Sequence, residues 1–174
     1  AGRAALVALR HPALIAALAM HSGPVVGDAH SATAGLHTMR RGTLRPLLPL
    51  VQAVADPALF QLGMPTMILH GQMDPAVAPR NARQLFEQFR AVNGLAPDEP
   101  TVERVLGLGT EKAYRRVDLL RDRKVVLRLC EITRVEHGWS GGDASVRYHA
   151  RSGPDASALA WRFFQGQRRV LVSS

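Results

Sequence analysis

Asp74, His137 and Ser140 carry the groups from which acid–base and nucleophilic chemistry is assembled. A carboxylate that fixes an imidazole in one tautomer leaves the other ring nitrogen free as a base, the proton-handling half of a triad. Asp74 follows the apolar run Pro65 to Gly71, and His137 follows another that ends at Val135. The acid precedes the base by 63 positions (137 − 74). Alone, a loop aspartate caps its own turn and a histidine packs. Two of them, each just after its own strand, argue for a working pair.

Ser140 offers itself as the nucleophile, because Gly138-Trp139-Ser140-Gly141-Gly142 fits the pattern G-x-S-x-G. A nucleophile elbow needs a strand turning straight into a helix, so that the serine oxygen is exposed and the next amide faces the oxyanion. The residues after Ser140, "GGDASVRYHARSGPD", have paired glycines, a Gly-Pro break and no helical period. Ser140 is therefore read as part of the loop that presents His137. Ser22 is read as a hydroxyl satisfying a loop backbone, since Gly23-Pro24 stops a helix from starting there. His21, His30, His37 and Asp28 lack dense ligand spacing, so no metal site and no cofactor is expected. His70, at a strand end, is expected to pack. Trp139 either walls a pocket or packs under its loop, and Trp161 is expected in the core.

These residues need elements to hold them. Residues 3–10 are apolar almost all round and read as a buried helix that stops at His11-Pro12. Leu14 to Met20 and Pro65 to Gly71 read as buried parallel strands. A helix is expected near His30 to Arg40, and another through Ala82, Leu85, Phe86, Phe89 and Val92, stopped by Asn93-Gly94. Residues 95–110 read as loop. Ala113 to Leu120 and Val125 to Val135 read as two strands joined by a turn, and Pro154-Asp155 opens a last helix ending near Gly166. Strands alternating with helices make this an α/β chain, with a mainly parallel sheet flanked by helices. Residues 1–174 are taken as one domain, which the resemblance given below implies is incomplete, and 24–62, with its small residues and prolines, as a cap-like insertion within it. Chemistry in such sheets lies beyond the carboxyl ends of the strands. That selects the loops at His21 to Gly23, His70 to Asp74 and Glu136 to Asp143.

The net charge is +8, and 20 of the 22 basic residues are arginine. They are scattered and not interleaved with stacking aromatics, so a solvated basic surface is expected and no specific nucleic-acid partner. No window reaches the roughly 18 apolar residues of a membrane span. The single cysteine, Cys130, excludes an internal disulfide and reads as a small buried hydrophobe.

The strings "HPALIAALAMHSG", "TMRRG", "MILHGQMDPAVAPRNARQL", "EHGWSGG" and "SGPDASALAWRFF" resemble the polyhydroxybutyrate depolymerase-like esterases. The resemblance implies a partial α/β-hydrolase fold, an ester or polyester substrate and an extracellular or periplasmic setting. It implies Asp74 as triad acid and His137 as base. It also aligns Ala1-Gly2 with the A-G of the family's G-x-S-A-G-G turn, with Arg3 where a second glycine is usual. On that reading the nucleophilic serine directly precedes Ala1, and the Ala1 amide serves the oxyanion. The 174 residues alone are then expected to be inactive. The competing reading is a non-catalytic remnant or basic binding module, self-associating through an exposed sheet edge.

Overall fold

A computed structural model describes residues 1–169. Its main sheet has the order β1-β2-β5-β4-β3, built from β1 (Leu18–His21), β2 (Thr66–Gly71), β3 (Val102–Leu106), β4 (Tyr114–Arg121) and β5 (Lys124–Ile132). β1, β2 and β5 run parallel, whereas β4 is antiparallel to both β5 and β3. The sheet is thus mixed, with its parallel half on the β1 side. β2 is buried at all six positions, as expected for a strand covered on both faces.

One face packs against α1 (Gly2–Arg10) and α5 (Arg80–Val92), where Leu9, Leu85, Phe89, Ile68 and Leu127 share a core. The other face packs against α6 (Ala156–Gln165) through Met67, Leu69, Ile132 and Phe163. A two-residue turn, Asp122-Arg123, joins β4 to β5 with φ of +50° and +65°. Two positive φ values match the right-handed twist of the flanking strands, so the hairpin closes tightly.

Segment 24–62 contributes α2 (Ala32–Arg41), α3 (Leu47–Gln52) and the short α4 (Leu59–Leu62). It is fastened to α5 by side-chain amides spaced along one helix face. Asn81 accepts from the Val25 amide, Gln84 exchanges hydrogen bonds with Thr43, and Gln88 accepts from the Val26 amide and donates to the Val26 carbonyl. Asn81 and Gln88 are fully buried, so these amides do for the irregular segment what a neighbouring strand would do.

Several expectations change. The first strand starts at Leu18, because residues 12–14 form a turn closed by the Leu14 amide on the His11 carbonyl; Leu14 is 81% exposed. α1 buries only Ala5, Ala8 and Leu9, one stripe rather than all round. Residues 95–110 contain the edge strand β3, whose charged, exposed sequence hides its pairing with β4. Trp161 is 65% exposed, because α6 turns Ala156, Ala160 and Phe163 inward and Trp161 lies off that stripe. No helix among the described residues is long and apolar enough to cross a membrane.

Candidate active site

Because β1, β2 and β5 are parallel, their carboxyl ends lie on one edge of the sheet. β1 delivers His21 and Ser22, the loop after β2 delivers Asp74, and the loop after β5 delivers His137. Close backbone approach seals the last two loops together: the Gln72 amide donates to the Ile132 carbonyl and the Met73 amide to the Val135 carbonyl. A Cβ on Gly71 would lie 2.0 Å from the Val135 oxygen, so only glycine admits this contact.

Asp74 Oδ2 lies 2.9 Å from His137 Nδ1. Oδ1 accepts from the Ala76 and Val77 amides, and His70 Nε2 donates to the Val77 carbonyl and lies 3.7 Å from Oδ2. Burial pushes the Asp74 carboxyl up, but the Val77 amide, His137 and the Ala76 amide outweigh it and hold the carboxyl below its ordinary value. Asp74 is therefore an ionised, 5% exposed acceptor that fixes the Nδ1–H tautomer of His137. His137 Nε2 is left free to take a proton. The His137 side chain is one third exposed, open to a reactant on that side.

The cleft at His137 holds about 340 Å³ and is lined by Ala1, His21, Ser22, His137, Trp139 and Tyr148, among others. The volume suits a small ligand. Residues 24–62 contribute no lining residue to this cleft, and α2 and α3 of that segment pack on α5. Trp139 both lines the cleft and packs, its ring 5.4 Å from that of His21 and its Nε1 donating to Ser157 on α6. Ser140 is fully buried; its amide donates to His21 Nε2 and its Oγ lies 3.3 Å from the same atom. Ser22 differs from expectation, since its hydroxyl meets the His21 ring at 3.0 Å rather than loop backbone. Burial, then the charge of His70, lowers the His21 pKa to about 4, against a weaker upward pull from Asp74.

Sequence reasoning selected the loop at His21 to Gly23 without giving His21 a role in the cleft, and it missed Tyr148 altogether. His21 was legible as the end of a strand, whereas Tyr148, edge-on to His137 at 6.2 Å, gave no signal. It is brought in by the short pairing of β6 (Trp139–Ser140) with β7 (His149–Ala150). Asp28 and His30 meet at Arg45 Nη1, and among the described residues no three or more His, Cys, Asp and Glu side chains gather as a metal site would require. Cys130 is fully buried, and burial pushes its thiol up to about 12, as befits an inert core residue.

A family model described as Esterase PHB depolymerase matches residues 1–112. The match includes Asp74 and ends before β4 and β5, so His137 lies outside it. No curated protein matches the chain.

Proposed function

Because the chain belongs to the Esterase PHB depolymerase family, we propose that it supplies the acid–base half of a serine carboxylic ester hydrolase. The observation that carries this is the 2.9 Å contact from buried Asp74 to His137, which lines an open cleft. In this reading His137 Nε2 takes the proton of a serine hydroxyl as its oxygen attacks the ester carbonyl. The tetrahedral adduct expels the alcohol, which leaves with the proton from His137. Water, deprotonated in turn by His137, then releases the carboxylic acid. Asp74 stabilises the imidazolium formed in both steps without itself being protonated.

Among the described residues no serine hydroxyl is hydrogen-bonded to His137. We assign the nucleophile to the serine that the family's motif sets directly before Ala1, and the presence of Ala1 on the same cleft wall supports that assignment. The substrate class is an aliphatic ester or polyester, and the family resemblance favours an extracellular or periplasmic setting. The test is hydrolysis of a short-chain nitrophenyl ester by the 174-residue chain and by the chain extended upstream from its coding sequence. Turnover by the extended protein alone, lost in His137→Ala, is expected. Turnover by the 174 residues that disappears in Ser140→Ala would overturn the assignment.

A further inference from the structure

Ser22 has φ of +54°, a left-handed conformation costly for a residue with a Cβ. Its amide still extends the parallel ladder by donating to the Leu69 carbonyl, so the departure begins where the strand ends. Such local strain persists where the surroundings hold it in place, and it clusters at functional sites. Here it falls on a residue that lines the cleft together with His137 and Ala1. The following residue abuts Ala1: a Cβ on Gly23 would lie 3.0 Å from the Ala1 Cβ.

The hydroxyl's orientation follows from its partner. The Ser140 amide donates to His21 Nε2 at 3.3 Å, which makes that nitrogen an acceptor and puts the ring proton on Nδ1. His21 Nδ1–H therefore donates to Ser22 Oγ at 3.0 Å. With its oxygen so engaged, the Ser22 hydroxyl has its own hydrogen to give, and it has no protein acceptor among the described residues. Trp139, stacked near His21, keeps the imidazole from swinging away.

We propose that Ser22 is a substrate-contacting residue whose hydroxyl, held by His21, donates a hydrogen bond to an ester oxygen seated between His137 and Ala1. An ester group offers acceptors and no donor, so a fixed donor whose own lone pair is already used recognises it selectively. His21 is the positioning residue. The assignment rests on the esterase reading of the cleft.

Two measurements on the 174-residue chain test it. Nitrogen-15 spectra of the imidazoles, with His21 assigned through His21→Phe, are expected to show His21 protonated on Nδ1. An Nε2-protonated His21 would overturn the relay whatever the substrate. Methyl butyrate is then titrated by NMR against the parent chain, Ser22→Ala and Ser22→Gly. Glycine is at ease at this φ, so loss of affinity there is not misfolding. Both variants are expected to bind about 3- to 10-fold more weakly, the worth of one hydrogen bond. His21→Phe should weaken binding similarly, and the His21→Phe/Ser22→Ala double variant should lose no more than either single one. Equal affinity in the parent chain and both Ser22 variants overturns the contact and leaves the esterase reading standing. A parent chain that binds no ester sinks that reading, and the Ser22 assignment with it.

Discussion

Acidification should loosen this fold well before its carboxylates are neutralised. His21 is held neutral by burial, with its pKa lowered from 6.5 to about 4, and burial lowers that of His70 as well. Between those two values the unfolded chain binds a proton at His21 that the folded protein refuses, so stability rises with pH across that window. The stabilisation is whole above pH 6.5 and is lost as pH falls toward 4. For His21 alone the full difference is about 3 kcal/mol, most of it gone by pH 4.5. His70 adds in the same direction. Asp74 and Glu131, both held below their ordinary values, give up their stabilisation only as pH falls below those ordinary values of 3.8 and 4.5. Urea unfolding followed at several pH values from 7.5 to 4.5 measures the slope. His21→Phe keeps a ring against Trp139 and removes the titration, so its curve should be flatter by roughly 2–3 kcal/mol over that range, whatever its starting stability. A parent protein equally stable at both ends, or a His21→Phe slope identical to the parent's, would refute the reasoning.

Asp74→Asn should leave the fold in place and lower ester turnover by the upstream-extended protein about 10⁴-fold, because an amide can stabilise the wrong His137 tautomer; steady-state kinetics on a nitrophenyl ester reads this. Gly71→Ala should cost at least about 2–3 kcal/mol in urea unfolding, because the new methyl meets the Val135 and Glu136 backbone at 2.0–2.8 Å and that backbone leads to His137. Gln88→Leu should cost about 2–4 kcal/mol by the same measurement, since it strands the buried Val26 amide and carbonyl while adding apolar volume.

Two strands of the parallel half were readable, β2 as an apolar run stopped by glycine and β5 as the second of two strands flanking the polar turn Arg121 to Lys124, and the rule placing chemistry at strand carboxyl ends then selected Asp74 and His137. β3 was not readable. Val102, Glu103, Arg104 and Val105 are all exposed, and an edge strand kept in place by cross-strand partners such as Arg115 with Glu103 has no hydrophobic period to show. Leu14 and Trp161 misled for the converse reason: apolar character was taken as burial, although single exposed apolar residues are ordinary. The role of His21 depended on the fold, because Ser140 is 119 positions away in the chain and no local pattern joins them.

The strand order carries a consequence for how this chain can be divided. β5 lies between β2 and β4, so the residues beyond the family match are threaded through the middle of the sheet rather than appended to its end. The exposed turn Gly107 to Lys112, which the match runs into, is an inviting place to cut. A protease nick there should yield two pieces that elute together on gel filtration, since β4 and β5 remain clasped between β2 and β3. The edge of sequence similarity is therefore no seam in the molecule. The C-terminal piece could be exchanged for another only if the newcomer both refilled the centre of the sheet and brought an imidazole to Asp74.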